Sequence, residues 1–379
     1  MKVALIHDYI KEYGGAERVL EVLSEIFSDA PIFTAFYDKK GTAYEHFKNK
    51  KLIPSWVQYF PFFSKLSSPL RFLTPLIWGS FDLSEYDIVI SSASWYITKG
   101  FGSAKRNQKH PIEICYCHTP PRWLYGYNTS LNFQKYPIVR VYAGIVGHFM
   151  RLYDFKQAQK VNYFIANSQE VAGRIKKFYK RDSTVIYPPV CLPKSEKRKA
   201  KSEKNDYYFI VSRIVGAKGL DLAVEAALKA GLKLKIAGSS AGYSFELNKL
   251  KGKAQLRQGF DGQVEFLGQV TDEELVKLYK GAKAFLALSL DEDFGITPVE
   301  AMSFGTPVIA FNGGGYKESV LDKKTGLLFD DLSVDGLIKA IKQFNNLEID
   351  PEDCIKQAEK FSKERFKKEI KEFVGSKVK

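Results

Sequence analysis

The sequence predicts an α/β fold: two doubly wound domains, each built on a parallel sheet and facing the other across a cleft. Three observations lead there. Apolar runs of strand length alternate with segments of helical period along most of the chain, and that alternation builds parallel sheets covered by helices. The 379 residues, 45% hydrophobic and 14% aromatic, suffice for two cores of ordinary size. Near the middle, Pro188-Pro189 and the charged run PKSEKRKAKSEKND (193–206) interrupt the rhythm.

The first domain, 1–190, takes strands over Val3–Asp8, Pro31–Tyr37, Asp87–Ser92, Ile112–His118, Tyr163–Asn167 and Thr184–Tyr187. Its first helix shows one buried face in Val19, Leu20, Leu23, Ile26 and Phe27. A linker, 191–206, follows. The second domain, 207–355, takes strands over Tyr208–Ser212, Leu232–Ala237, Val264–Gly268, Ala284–Leu288, Pro307–Phe311 and Gly326–Phe329. Residues 356–379 form a Lys-rich helix that can pack back on the first domain. Open parallel sheets bind ligands beyond the carboxyl ends of their strands, so two such domains would share a substrate.

Residues 47–81 break the pattern. Basic residues punctuate Trp56, Tyr59, Phe60, Phe62, Phe63, Phe72 and Trp78, and four prolines prevent one long helix. Such a segment suits a membrane interface or a lipid-linked molecule, with Trp56, Phe60, Phe62, Phe63 and Arg71 as contacts. It reads equally as an irregular excursion packed on the core.

The formal charge of +14 fits an anionic partner, whether phosphate-bearing small molecules, a membrane face or nucleic acid, and equally a solvated Lys-rich surface. The opening MKVALIHDYI lacks the features of a signal peptide, and no stretch reaches the roughly 18 apolar residues of a membrane span. A cytoplasmic protein is expected. Four cysteines and five histidines, widely spaced, form no metal-ligand pattern. No recognised nucleic-acid module accompanies the basic charge.

Four motifs carry chemistry. Gly14-Gly15, at a strand-to-helix turn, either admit a ligand to the backbone and a helix N-terminus or form only a tight turn. His118 ends a strand before Pro120-Pro121, positioned either to donate to a ligand or to satisfy local backbone. Arg213 and Lys218, five apart in the loop after the second domain's first strand, can converge on a diphosphate, one as a fork and one as a point charge. DEDFGITPVEAMSFGTP (291–307) reads as a Gly turn and a short helix, with Thr297 as N-cap, Pro298 first, Glu300 closing a capping box and Gly305 and Pro307 ending it. The N–H groups around Gly295, Ile296 and Thr297 would then face an anion. Glu292, acceptor-only when ionised, suits sugar hydroxyls. FNGGGYKESV adds a further Gly-rich turn, with Glu318 in the next helical turn.

The pattern from Glu292 to Glu300, followed by EAMSFGTPVIAFNGGGYKESV, resembles the retaining glycosyltransferases of family 4, which have the GT-B architecture of two Rossmann-like domains. GGAERV, YCHTP, ANSQEVAGRIKKFY, SRIVGAKGLDLAVEA and VEFLGQVTDEEL extend the likeness over nearly the whole chain, in order. The resemblance implies roles. Arg213 and Lys218 would neutralise the diphosphate of a nucleotide sugar, and Glu300 would hold its ribose. Glu292, with backbone at Phe294 and Gly295, would hold the transferred sugar. His118 would meet that sugar near the reacting carbon, and Gly14 and Gly15 would admit donor or acceptor.

It also implies retention of anomeric configuration without a metal, since cations and a helix N-terminus stabilise the charge growing on the departing diphosphate. The wording of EDFGITPVEA and CYCHTPPRWLY looks most like bacterial enzymes that move mannose from GDP-mannose in building lipopolysaccharide and other envelope polysaccharides. A glycan or lipid-linked acceptor at the cytoplasmic face of the inner membrane follows, with no other cofactor and no nucleic acid. A UDP-sugar donor, a non-catalytic sugar-nucleotide sensor, a nucleic-acid-binding protein and a sugar-nucleotide epimerase are the alternatives.

Overall fold

The computed structural model describes residues 1–102, 111–127, 137–192, 205–239, 244–255 and 263–377. They fall into two compact units. The first holds the described residues up to Pro189 together with those from Glu364 onward, and the second holds those of Val190–Lys363. Most of the expected linker, 193–204, lies outside the described residues.

The first unit is built on seven parallel strands in the order β3-β2-β1-β4-β5-β6-β7: Val3–His7 (β1), Ile32–Thr34 (β2), Leu52–Pro54 (β3), Ile88–Ala93 (β4), Ile112–Cys117 (β5), Tyr163–Ala166 (β6) and Thr184–Val185 (β7). Its central pair sets Val3 beside Ile88 and His7 beside Ser92. β3 was not foreseen. It is three residues long, ends in Pro54 and lies at the sheet edge, where a proline is tolerated and a strand needs little hydrophobic pattern. The rest of 47–81 is a series of short helical turns that are half core and half surface. Val57, Phe63, Ile77 and Trp78 are buried, whereas Tyr59, Phe62 and Leu76 are exposed.

Helices cover both faces of this sheet. In Gly15–Ile26, Val19, Leu20, Val22 and Leu23 face inward, and Ser168 caps Gln169–Tyr179 by accepting from the Val171 amide. The final helix, Lys363–Lys377, seals the same core with Phe366, Ile370 and Val374. Burying each such side chain stabilises by about 1.5–3 kcal/mol.

The second unit carries six parallel strands in the order β10-β9-β8-β11-β12-β13: Tyr208–Val211 (β8), Leu234–Ala237 (β9), Val264–Gly268 (β10), Ala284–Ala287 (β11), Val308–Phe311 (β12) and Gly326–Phe329 (β13). All six lie within or beside the runs anticipated from sequence. Helix Pro351–Glu359, capped by Asp350 with proline at its start, belongs to this unit, so the chain changes unit near 363 and not near 356. In each sheet the winding reverses between two central strands, β1 and β4 in one and β8 and β11 in the other. Ligands of doubly wound sheets bind where the strand order reverses.

Candidate functional site

In the second unit, the loops leaving β8 and β11 carry the predicted charged residues. Arg213 is exposed at the first of these loops. Lys218 ends the short turn Gly216–Lys218, which the Ser289 hydroxyl holds through the Ala217 carbonyl at 3.2 Å. Lys218 Nζ donates to Glu292 Oε2 at 2.7 Å, and the Tyr316 hydroxyl donates to the same oxygen at 3.3 Å. Both members of the ion pair remain partly open to solvent, at 27% and 16% exposure.

The helix beyond Glu292 differs from expectation. It runs Ile296–Ser303 with Gly295 as N-cap, so Thr297 lies inside the first turn and Glu300 closes no capping box. The cause is Gly295, whose φ of +87° turns the chain early, where a Cβ would meet the Tyr316 ring at 2.7 Å. Glu300 is buried and accepts from the Tyr279 hydroxyl at 2.9 Å. Glycine at the cap makes no side-chain cap hydrogen bond, and the helix dipole is positive toward the loop. The Phe294 ring is buried against Phe361, centroids 5.2 Å apart, which leaves only its backbone for a ligand. The triple glycine packs against this loop: the Gly315 amide donates to the Glu292 carbonyl at 2.9 Å, and a Cβ on Gly314 would lie 2.2 Å from that oxygen.

An open depression of about 490 Å³, lined by Tyr207, Lys233, Lys235 and Glu265, lies at the opposite, N-terminal ends of β8–β10 and contains none of these residues.

The first unit places a polar chain at its own reversal point. His118 Nε2 lies 2.8 Å from Ser92 Oγ, that oxygen lies 3.0 Å from His7 Nδ1, and His7 Nε2 lies 3.4 Å from Glu17 Oε1. Glu17 also accepts from the Gly14 amide at 2.9 Å, so a carboxylate already occupies the helix end that Gly14 and Gly15 were expected to offer an anion. Burial, with His7 adding, lowers the His118 pKa to about 3. At neutral pH this imidazole is an uncharged hydrogen-bonding group.

Of the predicted surface contacts, Trp56, Phe60 and Phe62 are exposed at 43%, 52% and 72%. Phe63 is not a surface contact, and Arg71 is only partly exposed. Phe63 is 3% exposed, and the Arg71 guanidinium is stacked between Trp95 and Trp123 at 5.1 and 5.4 Å while donating to Ser68 Oγ at 2.8 Å.

Comparison with known proteins bears directly on the second unit. Residues 193–361 match the family model of the glycosyl transferases group 1. The chain is a glycosyltransferase. The glycosyltransferase is 26% identical over 357 residues to mouse alpha-1,3/1,6-mannosyltransferase ALG2, covering 83% of this chain and 81% of that one. It is 29% identical to the D-inositol 3-phosphate glycosyltransferase of Mycobacteroides abscessus, covering 43% of this chain and 40% of the relative. In fold it is similar to the structure of Anabaena Alr3699/HepE in complex with UDP-glucose, with a TM-score of 0.72 at 18% identity over 99% of this chain and all of the other. The architecture is GT-B.

Sequence reading missed His7, Ser92, Glu17, Tyr279 and Tyr316. His7 ends a strand as His118 does, and the same argument would have found it. The tyrosines reach Glu292 and Glu300 from other elements, through contacts that no local spacing announces.

Proposed function

We propose that this glycosyltransferase moves mannose from GDP-mannose, with retention, onto a glycan or lipid-linked acceptor of an envelope polysaccharide. The Lys218–Glu292–Tyr316 cluster carries the reading. It lies at the reversal point of the second sheet and beside a helix N-terminus with glycine as its cap residue, so cation, carboxylate and backbone N–H groups share one loop system. Lys218 and Arg213 meet the diphosphate, Glu292 takes sugar hydroxyls and Glu300 takes the ribose. The similarity to ALG2 over most of both chains favours mannose.

Chemistry follows from charge. The bond from the anomeric carbon to the diphosphate oxygen breaks, and the acceptor oxygen bonds to that carbon from the same face. The acceptor's proton leaves on the departing diphosphate. Lys218, Arg213 and the helix end stabilise the negative charge that grows there, so turnover is proposed to proceed with no metal. A UDP-sugar donor is the second reading, favoured by the UDP-glucose bound in the similar Anabaena structure.

Thermal shift of the purified protein with GDP-mannose, GDP, UDP-glucose and UDP, in chelator, tests the donor. A selective rise with GDP-mannose and GDP supports the reading, a selective UDP response replaces the donor, and silence from all four removes it.

A further inference from the structure

Among the described residues, seventeen large apolar side chains are exposed, and thirteen of them fall in two stretches of the first unit, Trp56–Leu76 and Val141–Phe155. Scattered singly, such residues need no explanation; gathered in one place they mark a binding surface. The second stretch lies on helix Pro137–Lys160, which the sequence reading did not single out. Val141, Ile145, Phe149 and Leu152 follow one another at intervals of four, four and three and are 58–65% exposed, one stripe on the outer face. The inner face is fixed by Met150 and by Asp154, whose carboxylate lies 2.5 Å from Lys99 Nζ and accepts from the Tyr125 hydroxyl at 2.6 Å. The stripe therefore faces outward because its opposite side is tied into the core. The two stretches meet where the Tyr142 hydroxyl donates to the Pro69 carbonyl.

Charge selects the occupant. Residues 47–81 contain no Asp or Glu, and the only acid in 137–160 is the buried Asp154. The exposed charges in these two segments are Lys48, which pairs with Glu45 at 2.7 Å, and Lys51, Lys65, Arg140, Arg151 and Lys156. Apolar side chains with a cationic fringe suit the headgroup and upper acyl region of an anionic bilayer. A second copy presenting the same face would set like charges against each other.

We infer that this combined surface seats the enzyme on an anionic membrane, with the outer stripe of helix Pro137–Lys160 inserted beside Trp56, Phe60 and Phe62. The inference rests on the lipid-linked acceptor proposed above and adds the element that places the enzyme beside it. Co-sedimentation of the full chain with phosphatidylglycerol-containing vesicles and with phosphatidylcholine vesicles reads it without turnover. The expected result is at least tenfold stronger binding to the anionic vesicles, weakened by salt, and at least tenfold loss of that binding in Phe149→Asp and in Phe62→Asp. Melting temperature and the donor's thermal shift should stay as in the parent, which separates failure of this surface from failure of the donor reading. Variants that sediment like the parent overturn the inference. So does a concentration-dependent dimer, seen by light scattering, that the same variants dissociate.

Discussion

Lys218 and Glu292, 74 residues apart in sequence, close on each other at 2.7 Å across the loops leaving β8 and β11. The cation assigned to a diphosphate and the carboxylate assigned to a sugar thus neutralise one another. A donor would have to exchange this pair for its own contacts, phosphate on one side and hydroxyls on the other. Both partners keep some exposure, at 27% and 16%, so solvent partly screens the pair that the donor replaces.

Lys218→Ala and Glu292→Ala are each expected to lower transfer at least a hundredfold while the melting temperature moves by only a few degrees. The double variant should lose much less than the product of the two. Steady-state kinetics on all four proteins checks this, and full activity in either single variant removes that residue from the grip.

Tyr279→Phe takes away the hydroxyl that bonds Glu300 and leaves the ring. Donor KM should rise severalfold with kcat within about twofold, because the carboxylate loses its orientation and not its charge. A hydrogen bond to a charged group contributes about 1.5–3 kcal/mol, so unfolding should also come at lower denaturant. An unchanged KM would leave Glu300 a core residue only.

Gly314→Ala would place a methyl against the Glu292 carbonyl at a backbone φ of +55°. The loop holding Glu292 must shift, at a cost of about 2 kcal/mol or more. Activity should fall with stability, while Gly216→Ala, where a Cβ meets nothing within 4 Å, should leave the melting temperature unchanged.

His118 titrates near 3 in the fold against about 6.5 unfolded. Its pKa is depressed by folding, so its contribution is present above about pH 6.5 and is lost as pH falls from there towards 3, at up to about 1.4 kcal/mol per unit. Melting curves between pH 7.5 and 5 should show a smaller acid loss in His118→Asn than in the parent. Equal slopes would mean that this imidazole is not buried neutral.

Alternation alone located twelve of the thirteen strands, because a strand buried between helix layers is a continuous apolar run. β3 escaped since an edge strand ending in Pro54 needs no such run. The positions of Arg213, Lys218 and Glu292 at strand ends were readable, since each lies in the loop that directly follows its strand. The misreading of Thr297 and Glu300 has a definite origin. A Thr-Pro-Val-Glu string satisfies the capping pattern, yet Gly295 had already started the helix, and Glu300 found Tyr279 instead. Phe63 looked like a surface residue because its neighbours are, and only packing distinguishes it from Phe62.

The return of helix Lys363–Lys377 to the first unit makes that unit's completion wait until all of the second unit has been made. Phe366 sits 5.8 Å from Tyr116, ring to ring, and is fully buried with Ile370 between β5 and solvent. A ribosome presents these residues only after all of the second unit, so the first-made sheet must wait with one face unsealed while the later-made one can already close. Chains stalled or clipped just after Lys363 would keep an intact second unit and leave an aggregation-prone first one.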